Sequence, residues 1–202
     1  MLQLSTIRQS LLETLLNFSA LISKAGTGSC YQALILRMMG VRAHGPVAIA
    51  RGTTFVAPQN LSLGRYVTIG AYSRIVAWAS IEIGDDFMAS DALTLNSGAH
   101  DPLTLEPRLQ PISIGSRVWC GTNVTICAGV NIGDDVVIGA GSVVVRSLAA
   151  RTVAVGSPAR PVRCLERQPG RQLWSMWQER SGFRPAERGG LRVALRRLRT
   201  WI

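Results

Sequence analysis

The sequence predicts an all-β fold, a parallel β-helix wound from six-residue repeats. Three observations carry this reading. Aliphatic or small residues recur every six positions at Ile114, Cys120, Ile126, Ile132, Ile138 and Val144. Two further columns keep the same phase, one of small residues (Gly115, Gly121, Cys127, Gly133, Gly139) and one at Val118, Val124, Val130, Val136 and Ser142. A helix of period 3.6 would not hold these columns on one face. Hydrophobic residues make up 47% of the 202-residue chain but aromatics only 6%, so the interior must be filled by stacked aliphatic side chains.

Each hexad gives a short strand and a turn. The aliphatic residue points inward, and the small residue beside it lets the backbone bend at a corner. Three hexads close a triangular coil of 18 residues, the separation of Ile114-Gly115 from Ile132-Gly133. A single coil cannot bury its apolar face, so coils stack. Upstream, Leu63-Gly64, Ile69-Gly70 and Ile75 are in phase, and Ile83-Gly84 follows Leu63 by 20, which implies a two-residue insertion. Ala89 and Leu95 continue the phase. Ile114 follows Ile83 by 31, thirteen more than one coil, so an excursion loop leaves the helix within 98–111. Its Pro102, Pro107 and Pro111 do not suit an interior strand. Long loops on a rigid scaffold often carry function.

The flanks read differently. Residues 1–45 form an N-terminal helical segment. Within it, 5–23 carry one apolar stripe of Ile7, Leu11, Leu15, Phe18 and Ile22, expected to brace the first coil, with a membrane-facing helix as the alternative. Gly26, Gly28 and Ser29 interrupt it, and a second short helix is expected around 31–39. The β-helix domain is assigned to 46–160. Residues 161–202 are expected to form a basic helical extension, with Leu191, Ala194, Leu195, Leu198 and Ile202 on one face. The chain's formal charge is +10, and 166–202 alone set nine Arg against Glu166, Glu179 and Glu187. The basic character therefore belongs mainly to the tail and says little about the core's chemistry.

Composition narrows the chemistry. Cys30, Cys120, Cys127 and Cys164 form no C-x-x-C pair and have no histidines nearby, so neither a disulfide framework nor a metal site is expected. No clean leader sequence and no spanning stretch of ~20 apolar residues is evident, which makes the cytoplasm the expected compartment. Nucleic-acid binding is not expected, because no recognised motif accompanies the charge. The chain has two histidines. His44 lies ahead of the repeats, where a surface residue is the expected reading. His100 stands in Gly98-Ala99-His100-Asp101-Pro102, where the coil opens into the excursion. A histidine there suits a general base for a hydroxyl or amine, with Asp101 as one candidate to orient it; a plain surface histidine is the other reading.

Gly98-Ala99-His100-Asp101, the loop, Pro111-Ile112-Ser113-Ile114-Gly115, Val118-Trp119, Ala140-Gly141-Ser142-Val143-Val144 and Val155-Gly156-Ser157-Pro158-Ala159-Arg160 occur in that order. Over about residues 30–165 the chain resembles the hexapeptide-repeat acyltransferases, above all the colanic-acid and capsule O-acetyltransferase branch near the maltose, galactoside and nodulation-factor enzymes. The resemblance implies a left-handed β-helix, against the usual crossover hand. It implies a homotrimer with active sites between subunits and acetyl-CoA as acyl donor. His100 would be the catalytic base that takes the proton of an attacking sugar hydroxyl, with backbone amides stabilising the developing oxyanion. No acyl-enzyme is needed, so Cys120 and Cys127 need not be nucleophiles.

The coenzyme contacts implied are Trp119, Gly121 and Thr122 on one coil and Gly139, Ala140 and Gly141 on the next, where small residues let the pantetheine arm lie against backbone. Corner packing explains the same glycines equally well. Arg146, Ser157, Pro158, Arg160 and Arg163 are further cofactor candidates, the arginines for phosphate. Asn96 and Asp101 are candidates on the acceptor side. The family's Gly-Asn-Pro-Ala-Lys reads Gly156-Ser157-Pro158-Ala159-Arg160 here, a conservative change for phosphate, and Ser147 stands in place of an acidic residue. The acceptor-side acidic and amide residues of the galactoside branch find no match, so the acceptor stays open. Transfer to the nitrogen of an amino sugar and a non-catalytic scaffold are the alternatives. The tail's Arg192, Arg196, Arg197 and Arg199 with Leu195, Leu198 and Trp201 fit packing on a trimer neighbour, or peripheral contact with the inner membrane face.

Overall fold

A computed structural model describes residues 2–22 and 28–166, with side chains described over 7–18 and 32–166. The chain winds about six turns of a left-handed parallel β-helix. The first wall stacks Arg42–Ala43, Leu61–Leu63, Ile81–Ile83, Ile112–Ile114 and Asn131–Ile132. The second stacks Val47–Ile49, Val67–Ile69, Met88–Ala89, Trp119–Cys120, Val137–Ile138 and Thr152–Gly156, with Ala159–Cys164 turning back antiparallel on the last of these. The third stacks Thr54–Val56, Arg74–Val76, Thr94–Asn96, Thr125–Ile126 and Val143–Val144.

The repeat columns become vertical stacks of aliphatic or small side chains. Ile83 pairs with Ile114 and Ile114 with Ile132; Ala89 pairs with Cys120 and Cys120 with Ile138; Leu95 pairs with Ile126 and Ile126 with Val144. All of these are buried. Alternation along each strand sends the intervening residue outward, as in Ile81–Ile83, where Glu82 is exposed. Each coil thereby satisfies its backbone through the coils above and below it.

The small-residue column serves a different purpose from the corner bending expected of it. The residues that bend the corners are mostly not glycine: Tyr66, Asp86, Arg117, Asp135 and Arg151 after the first wall, and Tyr72, Ala92 and Asn123 after the second, all have φ between 57° and 62°. The column glycines adopt no such conformation. They give clearance between layers: a Cβ on Gly84 would lie 2.7 Å from the Gly115 carbonyl carbon, and one on Gly133 would lie 2.6 Å from Ala150 N.

Two helices close the lower end, α1 over Leu2–Ile22 and α2 over Gly28–Met38. The expected stripe of α1 does not face the coil: Ile7, Leu11, Leu15 and Phe18 are exposed, whereas Leu12 and Leu16 are buried. The docking face also carries polar residues, because the surface beneath it is a row of unpaired strand groups. Gln9 Nε2 donates to Phe55 O, Phe55 N donates to Glu13 Oε1, and Gly52 N donates to Asn17 Oδ1. On α2, the buried Gln32 acts as a substitute strand: its Nε2 donates to Ile49 O and its Oε1 accepts from Ile49 N. Arg37 donates to Ala43 O.

The boundaries shift accordingly. The coils begin at Arg42 rather than 46, and α2 starts at Gly28, ahead of the expected 31. Residues 161–164, expected to open the helical extension, are strand, because with Ala159 and Arg160 they cover the upper edge of the second wall. The expected helix over 191–202 lies outside the described residues.

Candidate active site

The corner between the third and first walls differs from the other two. In the lower coils it holds the extra residues, at 57–60 and at 77–80, which is where the two-residue insertion falls. In the coil above it opens into the excursion. Gly98–His100 and Pro107–Leu109 form an antiparallel arm, with Gly98 opposite Leu109 and His100 opposite Pro107.

Asp101 builds the tip of this arm. Its Oδ1 accepts from Leu103 N at 2.9 Å and Thr104 N at 3.2 Å, and its Oδ2 lies 3.6 Å from Arg108. The Leu103 and Thr104 amides, with Arg108 beside them, hold the carboxyl below its ordinary range. The turn it organises brings Leu105 into a left-handed conformation, φ 57°. Leu105 N donates back to Asp101 O, and Leu105 O accepts from His100 Nδ1 at 2.8 Å. A carbonyl can only accept, so this bond requires the proton on Nδ1 and makes Nε2 of the neutral ring the basic nitrogen. The orienting group is therefore the Leu105 carbonyl, and Asp101 acts on the loop rather than on the ring. Sequence reasoning missed Leu105; only the Asp-Pro turn start hinted that the loop folds back.

The root of the arm is bolted to the coils. Ser97 is buried; its Oγ accepts from Ala79 N at 2.8 Å and lies within 3.2 Å of the Ala79 and Val76 carbonyls. Gln110 N donates to Ser97 O. Asn96 is exposed, and its Oδ1 accepts from Gly98 N. Trp78, on the two-residue insertion, lies against Gly98.

The coenzyme candidates gather elsewhere, between the second and third walls. A Cβ on Gly121 would lie 2.6 Å from Ala140 N, and Gly141 N donates to Thr122 O, so the two runs are stacked layers of one corner. Gly139 sits under Val155. Gly156 N donates to Ser142 Oγ, which places the Ser157-Pro158 turn beside them, with Arg160 opposite Val155. Trp119, Thr122, Ala140, Gly141, Ser157, Pro158 and Arg160 are exposed there. Space around Gly141 is open, with nothing within 4 Å of a Cβ position. These residues fit a ligand that lies along backbone and ends in phosphates.

Two arginines do not join them. Arg163 pairs with Val153 at the far end of its strand, and Arg146 follows Val143–Val144 at the His100 corner, two coils above the arm. Cys120 is buried, and burial pushes its thiol up to about 12; Cys127 is also raised by burial. Neither thiol is therefore poised to attack. His44 is exposed, 3.5 Å from the Ser62 hydroxyl. Among the described residues no helix is long and apolar enough to cross a membrane, and no His, Cys, Asp and Glu cluster suits a metal.

The stacked hexads and the single arm define a class, and the chain belongs to the hexapeptide-repeat acetyltransferase family. The model for the hexapeptide repeat of succinyl-transferase matches residues 111–146. WcaF of Escherichia coli K12, assigned as an acetyltransferase of colanic acid biosynthesis, is 33% identical over 135 residues, which cover 66% of this chain and 74% of that one. Galactoside O-acetyltransferase of the same organism is 37% identical over 110 residues, 52% of this chain and 54% of that one. A solved structure of galactoside acetyltransferase in complex with coenzyme A superposes with a TM-score of 0.68 at 27% identity, covering 80% of this chain and 82% of that one.

Proposed function

We propose that this protein transfers the acetyl group of acetyl-CoA to a sugar hydroxyl of a surface polysaccharide or its precursor, with His100 as general base. The observation that carries the reading is the fixed tautomer of His100. Its Nδ1 proton is committed to Leu105 O at 2.8 Å, so Nε2 is the nitrogen available to accept a proton. Acetyl-CoA supplies the electrophilic thioester carbonyl; the acceptor oxygen bonds to it as the carbon–sulfur bond breaks. His100 Nε2 takes the hydroxyl proton during attack and returns it to the departing thiolate. The Leu105 carbonyl steadies the cationic ring in between. Trp119, Gly121, Thr122, Gly139, Ala140 and Gly141 would hold the pantetheine arm, and Arg160 with the Ser157-Pro158 turn would hold the phosphates. The names of WcaF and of the E. coli lipopolysaccharide O-acetyl transferase WbbJ support the acceptor class.

The two halves of this machinery sit at different corners of one chain. A wall and its turn span five to six residues, so the corners stand at most about 16–20 Å apart at ~3.3 Å per residue. A homotrimer in which the arm of one protomer meets the coenzyme corner of another closes that gap. His100→Ala should lower kcat by about 10²–10⁴-fold in a thiol-release assay with the oligomer and coenzyme A binding intact. Full activity in that variant would overturn the mechanism. Mixing His100→Ala protomers with Gly141→Trp protomers should restore part of the activity, and no restoration would refute the shared site.

A further inference from the structure

We infer that Trp78 is the platform on which the acceptor sugar stacks, so that this residue sets which sugar faces His100; the inference rests on the sugar O-acetylation reading above. Trp78 stands on the insertion at 77–80, one coil below the arm. It is 54% exposed, although a tryptophan on a packed solenoid would ordinarily bury most of its ring.

Its position follows from the arm's register. A Cβ on Gly98 would lie 2.7 Å from Trp78 Cδ1 and 3.5 Å from its Cγ, so the indole occupies the side of the strand to which a residue 98 side chain would point. Side chains two apart on a strand share a face, which puts the His100 imidazole on that same side, about 7 Å further along. Leu109 is directly opposite Gly98 and Pro107 directly opposite His100, so both belong to this face too. Leu109 is 55% exposed. The amide of Asn96 lies on this face as well, and its Nδ2 has no hydrogen-bond partner among the described residues.

The result is an exposed apolar floor, Trp78 and Leu109, between two polar groups, Asn96 and the basic nitrogen of His100. That combination matches a pyranose ring, which has a flat face of C–H bonds and a rim of hydroxyls. Laid on the indole, the ring covers the apolar floor and turns a rim hydroxyl toward Nε2. An indole suits this task because its large face is apolar and rigid. The pedestal is rigid too. Asn60 Nδ2 donates to Ala77 O, and Ser97 Oγ accepts from Ala79 N, which fixes the backbone on both sides of Trp78. In the shared site proposed above the pantetheine arm would come from the neighbouring protomer's coenzyme corner, and a role for Trp78 in holding it would raise the acetyl-CoA KM, which the platform does not.

The test is steady-state thiol release from acetyl-CoA, with methyl hexopyranosides of gluco, galacto and manno configuration as acceptors, in wild type, Trp78→Ala and Trp78→Phe. Trp78→Ala should raise the acceptor KM about tenfold, equivalent to ~1.4 kcal/mol, and leave the acetyl-CoA KM unchanged. Trp78→Phe should recover part of the loss, and the ranking of the three sugars should change in Trp78→Ala. An unchanged acceptor KM in Trp78→Ala, with an active wild type, overturns the platform alone. A change of oligomeric state in Trp78→Ala, measured by light scattering, would assign the indole to a subunit contact and overturn it likewise. Failure of the wild type to turn over any sugar would remove the acceptor reading itself, and the platform with it.

Discussion

Replacing Ser97 by Ala should lower the stability of the whole coil stack by about 2 kcal/mol, although it removes only one oxygen. Ser97 is fully buried at the root of the arm. Its Oγ accepts from Ala79 N at 2.8 Å and donates to Ala79 O or Val76 O, which lie at 3.0 and 3.2 Å. The variant loses both bonds, each worth ~1 kcal/mol net, and leaves the Ala79 N–H short of an acceptor. Ala79 is half-buried, so water recovers part of that last cost. For a chain of this length, 2 kcal/mol corresponds to a fall in Tm of roughly 4–8 °C. The measurement is thermal unfolding by circular dichroism at fixed protein concentration, with Ser113→Ala, exposed on the first wall, as the control expected to stay within ~0.5 kcal/mol of wild type. A Ser97→Ala melt indistinguishable from that control would refute the argument that this hydroxyl bolts the arm and the Trp78 insertion to the coils.

Glycine substitutions should separate layer clearance from backbone conformation. Gly121→Ala, whose Cβ would lie 2.6 Å from Ala140 N, should cost about 1–3 kcal/mol in denaturant unfolding. Gly141→Ala meets no neighbour but carries φ +70°, and should cost only about 1 kcal/mol; equal costs would contradict the clearance argument. Iodoacetamide at pH 7 should label the exposed Cys164 and spare Cys120, whose thiol is protonated there, without loss of activity; a labelled Cys120 in the native protein would show that burial does not protect it. Asp101 has a depressed folded pKa, so its contribution to the arm is complete above the unfolded value of about 3.9 and is lost only as pH falls through the lower folded one. Exchange protection of the Leu103 and Thr104 amides should therefore persist at pH 5 and be lost only below the ordinary carboxylate range; loosening at pH 5–6 would assign the turn to another group.

Much of this architecture is legible in the repeat. Every member of the aliphatic column from Ile114 to Val144 is buried, and so are Val118, Val124, Val130, Val136 and Ser142. The excursion and His100 could be placed because an interruption in a strict period counts its own residues. What periodicity could not convey is anything that depends on contact between layers. The column glycines were expected to bend corners, yet their role depends on the distance to the coil above. Apolar periodicity chose the wrong face of α1. That rule assumes an apolar surface beneath the helix, and here the surface is an open strand edge that needs donors and acceptors. Leu105 was invisible as the partner of His100 because it acts through its carbonyl, which every residue has. Trp78 left one signal, an aromatic residue inside a two-residue slip of phase.

The side-chain amides of Gln9 and Gln32, set against Phe55 and Ile49, have a consequence for assembly. A β-helix whose lowest strands ended bare would present its hydrogen-bonding edge to the top of the next molecule and polymerise along its axis. Here side chains answer that edge at the bottom, and the reversed strand Ala159–Cys164 covers the second wall at the top. Axial growth is blocked at the base and on that wall, which leaves the flanks, where the arm and the proposed coenzyme corner both stand, as the surfaces open to another copy.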